Sequence, residues 1–153
     1  MAVEEGKRAP AFTLVGDDGE KHKLSDHKGE KVVLYFYPKD MTPGCTTQAC
    51  DFRDNLARVQ AAGAVVYGVS KDSLESHDKF RDEHGLNFVL LSDPELKVHE
   101  RYGAYGEKKM YGKTVMGVIR STFLIDEQGK VQKAWRNVRA KGHVEKVLAE
   151  LEA

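Results

Sequence analysis

The residues of this chain that most directly suggest chemistry are its two cysteines, Cys45 and Cys50. Two thiols are too few for a disulfide-stapled scaffold or a four-cysteine zinc site, so their closeness in sequence is the feature to explain. Cys45 follows Thr42-Pro43-Gly44. Thr42 suits a helix N-cap and Pro43 the first helical position. Cys45 is then the third helical residue, where backbone amides lack partners and the helix dipole leaves about half a positive charge. That setting favours a thiolate, the nucleophilic form of cysteine. The competing reading is a buried, inert thiol.

The helix that carries both cysteines is expected from Pro43 to Ala62, with Gly63 just beyond its end. Cys45, Ala49, Phe52, Leu56 and Val59 fall in steps of four, three, four and three, which puts Cys45 on the inward face. Unbroken apolar runs at 32–37, 64–69, 88–91 and 122–125 read as strands buried on both faces. Helical spacing recurs at 73–84, 95–102 and 142–151, and the turn 126–129 leads into a hairpin strand at 131–135. The order βαβ followed by ββα places the chain in the α/β class with a thioredoxin-like fold, a central mixed sheet flanked by helices. A hairpin over 12–15 and 21–24 extends the sheet edge. The cysteine spacing is Cys-x4-Cys, not the Cys-x-x-Cys usual in that fold.

With 153 residues, 41% of them hydrophobic and 31% charged, the chain fits one folded domain over 1–153. Lys plus Arg and Asp plus Glu both number 24, so no bulk field favours nucleic acid or membrane as a partner. No apolar run approaches a membrane span, and the start MAVEEGKRAP has no apolar segment to serve as a signal; a cytoplasmic location is expected. Charge is uneven, however. Between Arg101 and Lys141 ten basic residues face three acidic ones, a net of about +7. The stretch 102–117 shows no clean period and reads as a long, partly ordered loop. Its Gly112-Lys113-Thr114 resembles the end of a phosphate-binding loop, but Glu107 stands where that motif needs glycine. The six histidines show no metal-ligand spacing, so solvated or locally hydrogen-bonded roles, and no metal, are expected.

Pro38-x3-Thr42-x2-Cys45 resembles the active-site signature of the peroxiredoxins, and Cys50 five residues on is similar to the bacterioferritin-comigratory, or Q-type, subfamily. APAFTL (9–14), VVLYFYPKDMTPGC, KMYGKTVMGVIRSTFLID with Arg120, and the region of Trp135 and Gly142-His143 carry the likeness almost end to end. The resemblance implies a thiol peroxidase for hydrogen peroxide and organic hydroperoxides, with Cys45 as the peroxidatic cysteine. It also implies a Cys45 sulfenic acid resolved by Cys50 as an intramolecular disulfide, recycling by thioredoxin or a related dithiol protein, a monomer, and no cofactor. Attack on an O–O bond needs donors for the leaving oxygen. Thr42 would supply a hydroxyl, Arg120 a fixed set of charged donors, and Pro38 shelter for the sulfur. Two other readings are a thioredoxin-like disulfide reductase or isomerase, and a binding module with an inert Cys45.

Residues five apart on a helix have Cα atoms roughly 8–9 Å apart, and a disulfide tolerates no more than about 7 Å. A Cys45–Cys50 bond within one chain therefore requires the first turns of the helix to unwind. Phe52, Leu56 and Val59 are expected to keep the remainder docked.

Overall fold

The computed structural model describes residues 3–153. An edge hairpin, β1 (Thr13–Gly16) and β2 (Lys21–Lys23), comes first. After a 3₁₀ turn at Leu24–His27 follow β3 (Lys31–Phe36), α1 (Pro43–Asp54), α2 (Leu56–Ala61), β4 (Ala64–Ser70), α3 (Leu74–His84), β5 (Val89–Ser92) and α4 (Lys97–Arg101). The last third holds β6 (Tyr105–Met110), β7 (Lys113–Val118), β8 (Ser121–Ile125), β9 (Val131–Trp135) and α5 (His143–Leu151).

Seven strands form one mixed sheet in the order β2-β1-β5-β4-β3-β8-β9. β3, β4 and β5 run parallel, and β8 joins β3 antiparallel with Phe36 opposite Ser121. β3 is apolar at nearly every position because both of its faces are covered. Val33 and Tyr35 point into a core shared with α1, α2, α3 and α5 through Phe52, Val59, Phe80 and Val147. Val32, Leu34 and Phe36 point into a second core closed by Val98, Tyr102 and the N-terminal Ala9 and Phe12. This is the expected thioredoxin-like arrangement with its N-terminal hairpin at the sheet edge.

Two expectations need correction. The cysteine helix is not continuous: Asn55 adopts φ −113°, ψ 11° and separates α1 from α2. Its side-chain amide donates to the Asp51 carbonyl at 2.8 Å, the kind of local hydrogen bond by which asparagine competes with helix propagation. The stretch 102–117 is not a loop but mainly the β6–β7 hairpin, a separate two-stranded ribbon turning at Tyr111-Gly112. Both turn residues have positive φ, 52° and 78°, as a two-residue hairpin turn of the I′ kind requires.

Candidate active site

Thr42 occupies the N-cap position of α1, with extended φ −79°, ψ 153°, and its carbonyl accepts from the Thr46 amide at 2.9 Å. Its hydroxyl does not cap the helix. It donates instead to the Lys39 carbonyl at 2.8 Å, tightening the loop that leads into α1. The amides of the first turn are thus left without a side-chain partner beside Cys45. Cys45 itself is 1% exposed, so the sulfur is sheltered from bulk water and charge interactions at it are screened less than in water.

Arg120 comes from the segment between β7 and β8 and meets α1 across the end of β3. Its Nη2 donates to Cys45 Sγ at 3.3 Å while Nη1 donates to Gln48 Oε1 at 2.7 Å. Gln48 is completely buried one turn beyond Cys45, so one fork of donors grips both. Gly44 makes room for this: a Cβ there would lie 3.2 Å from Arg120 Nη2. The Arg120 carbonyl accepts from the Val138 amide at 3.0 Å, which ties the loop before α5 to the same corner.

The loop from β3 is held at its root by a buried network. Asp40 is 4% exposed and accepts from the Tyr37 hydroxyl (2.6 Å), Ser76 Oγ (2.8 Å) and His77 Nδ1 (2.7 Å). His77 Nε2 donates to the Leu91 carbonyl at 3.0 Å, so both ring nitrogens act as donors and the ring carries a proton. Burial alone would lower its pKa, but the hydrogen bond and charge of Asp40 outweigh that and leave it raised. Pro38 lies half-buried in the bend just before this anchor, where its ring fixes the backbone.

Tyr35 lies beneath α1, its ring stacked on Phe52 at 4.8 Å and facing Gly68, where a Cβ would come within 2.9 Å of its Cζ. Its hydroxyl is buried with no hydrogen-bond partner. Burial first, then the charges of Cys45 and Asp40, push its pKa well above the ordinary phenol range. Cys50 is half-buried on the same helix, and both cysteines are free thiols. Behind Arg120, His143 packs edge-on against Trp135 and bonds Thr122 Oγ1 at 2.8 Å; burial, with Lys146 and Arg120 adding, lowers its pKa to about 4. Among the described residues no cluster of three or more His, Cys, Asp or Glu is arranged to hold a metal ion. No helix among them is long and apolar enough to cross a membrane.

The AhpC/TSA family profile matches residues 6–134. The chain belongs to the AhpC/TSA family. Peroxiredoxin Bcp of Bacillus subtilis is 53% identical over 151 residues, covering 99% of this chain and 96% of that protein. A Xanthomonas campestris bacterioferritin comigratory protein, solved in connection with its alkyl peroxide reduction activity, superposes with a TM-score of 0.90 at 42% identity, covering 97% and 98% of the two chains. Xylella fastidiosa PrxQ, solved as a cysteine-to-serine mutant, gives 0.93 at 36% identity, covering 99% and 97%. The chain is a peroxiredoxin: a thiol peroxidase that acts on hydroperoxides and draws electrons from a thiol reductant.

In this peroxiredoxin, Cys45 and Arg120 come into direct contact, and Thr42 and Pro38 lie on the loop that delivers Cys45. Gln48 joins the site through Arg120, and Tyr35 packs under α1, both without an advance signal in the sequence. Gln48 stands three residues after Cys45 on the same helical face, a spacing that marks it only once the arginine is known to arrive there. The histidines are less solvated than expected: His77, His99 and His143 are buried, and each is hydrogen-bonded at long or medium range in the fold.

Proposed function

We propose that Cys45 is the sulfur that attacks the hydroperoxide, that Cys50 resolves the product, and that thioredoxin or a related dithiol protein restores the thiols. The contact of Arg120 Nη2 with Cys45 Sγ at 3.3 Å carries this reading, because it places a permanent cation on one thiol of two. The thiolate attacks the terminal peroxide oxygen, the O–O bond breaks, and sulfur keeps that oxygen as a sulfenic acid. The departing alkoxide or hydroxide is met by the guanidinium and by free amides of the first turn of α1, and leaves as alcohol or water once protonated. The Thr42 hydroxyl, its proton committed to Lys39, presents lone pairs that accept from the peroxide O–H.

The Cys50 thiolate then attacks the sulfenic sulfur and expels hydroxide, forming a disulfide. Hydrogen peroxide and organic hydroperoxides are the substrates; the alkyl peroxide reduction ascribed to the Xanthomonas relative supports the organic class. All the groups used lie on one chain, which supports catalysis by a monomeric single domain. Both cysteines fit a reducing cytoplasm between turnovers.

The deciding experiment is peroxide consumption coupled to thioredoxin and its reductase. Cys45→Ser should lose essentially all of it. Substantial retained turnover would refute the assignment, and insulin reduction without peroxide turnover would favour a disulfide reductase.

A further inference from the structure

We propose that the β6–β7 hairpin is the docking arm for the reductant, and that it fits a dithiol protein whose surface around its cysteines is acidic. This rests on the reading that a thioredoxin-class protein reduces the Cys45–Cys50 disulfide.

Three independent features point to the hairpin. The first is its tip. Tyr111 is 98% exposed and holds φ 52°, a left-handed conformation that favours Gly or Asn over a bulky side chain and costs roughly 1 kcal/mol or more. The I′ turn dictates this backbone, but nothing in the packing calls for a Tyr there, since its ring touches no core. Met116, on the return strand, is 60% exposed. Exposed aromatic and methionine side chains are the types that interface centres favour.

The second is charge. Lys109 and Lys113 are exposed near the turn, and Arg139 and Lys141 are exposed on the loop before α5. None of the four forms an ion pair among the described residues, and only three acidic residues stand against the ten basic ones of 101–141. The ribbon and the loop before α5 adjoin at Asn137, so these unpaired cations are available to steer an acidic partner.

The third is placement. The hairpin is not part of the main sheet, and its base seats on Ile119, the residue before Arg120, whose Cδ1 would lie 3.7 Å from a Cβ at Gly106. A groove of about 530 Å³ runs between the ribbon and Asn137, lined by Glu107, Lys108, Lys109, Thr114 and Ile119. Asn137 in turn precedes Val138, whose amide holds the Arg120 carbonyl. The strands are six residues, about 20 Å, long, so a protein lying along the arm from tip to base reaches the residue that touches Cys45. Once α1 has opened, the partner's thiolate attacks one sulfur of the Cys45–Cys50 bond, forming a mixed disulfide and releasing the other cysteine as thiolate. The partner's second thiol, deprotonated, then displaces the remaining cysteine. Two electrons have passed, and the partner leaves as its own disulfide.

The test follows reduction of the oxidised full-length protein by an acidic thioredoxin and, separately, by dithiothreitol, an uncharged small dithiol. The thioredoxin rate should fall about tenfold between roughly 50 mM and 500 mM salt, and about tenfold in the doubly reversed Lys109→Glu/Lys113→Glu protein. Tyr111→Ser should lower it about fivefold through lost contact. Dithiothreitol reduction, and oxidation by hydrogen peroxide, should proceed at wild-type rates in every variant.

Thioredoxin rates unchanged in the variants would overturn the arm while leaving the reductant intact. So would a parallel fall with dithiothreitol, or a change in oligomeric mass on gel filtration, which would make the tip a self-association surface. Recovery with dithiothreitol but none with thioredoxin in the wild type would instead refute the reductant, and the arm with it.

Discussion

Oxidation of Cys45 and Cys50 to a disulfide should destabilise the protein, against the usual effect of a cross-link. The bond requires α1 to unwind through Cys50, leaving Asp51–Asp54 as a four-residue remnant that ends at the Asn55 break. One turn cannot stand as a helix without a longer partner, so all of α1 opens, and Phe52 leaves its place against Tyr35. This departs from the expectation that Phe52 stays docked, and the break at Asn55 is the reason. Fully burying Phe52 is worth about 3 kcal/mol, and Cys45 and Ala49 about 1 kcal/mol each, so about 5 kcal/mol is lost. Closing a six-residue loop restrains the unfolded chain by about 2 kcal/mol. The net loss of about 3 kcal/mol lowers Tm by about 6–12 °C for a chain of this size.

Calorimetry of reduced and oxidised protein, with the intramolecular bond verified by mass, measures the shift. Hydrogen exchange locates it: roughly nine amides from Thr46 to Asp54 should lose protection. The amides of α2 should keep theirs, because Val59 remains in the core and Arg58 still reaches Glu152 at 2.6 Å. Equal protection of α1 in both states, or a higher Tm on oxidation, would refute the unwinding argument.

Arg120→Lys should keep the fold but slow the reaction with hydrogen peroxide in rapid mixing by about tenfold or more, since an ammonium cannot hold Gln48 and Cys45 together. An unchanged rate would remove Arg120 from the chemistry. Gln48→Leu takes away the acceptor that aims the guanidinium, and about a tenfold loss in the same assay is expected. Cys50→Ser should spare the first oxidation yet leave Cys45 as sulfenic acid, detectable by mass after one equivalent of peroxide, and abolish rapid thioredoxin turnover. His143, held near pH 4 in the fold, stays neutral while an unfolded histidine binds a proton near pH 6.5. Stability is then unaffected above that pH and falls as pH drops towards 4, by roughly 2–3 kcal/mol at about pH 4.5. Denaturant titrations of wild type and His143→Gln should show that part of the acid loss missing in the variant.

The sheet and the thiol were legible because their signals are local. Apolar runs bounded by Gly and Pro marked β3, β4 and β8, and Thr42-Pro43 marked the start of α1 within one residue. What stayed hidden depended on tertiary neighbours or on competing local bonds. The β6–β7 ribbon is largely exposed and lacks the alternation that a one-sided burial imposes, so it read as irregular chain. The Asn55 break was masked by the apolar spacing that runs through it from Phe52 to Val59. Gln48 looked like any helical glutamine until Arg120, 72 positions away, arrived beside it. Thr42 satisfied the cap rule by type, yet Lys39 claimed its hydroxyl.

The pairing of β8 with β3 carries a consequence for how the protein comes into being. Cys45 and Arg120 lie 75 positions apart and meet only when β8 has added along β3, with Ser121 opposite Phe36. During synthesis the thiol leaves the ribosome long before its arginine, since contacts of such separation form late. A nascent chain thus carries an ordinary cysteine. With Cys45 as the proposed attacking sulfur, reactivity towards peroxide switches on with completion of the sheet, so that only chains which have finished folding expose themselves to oxidation there.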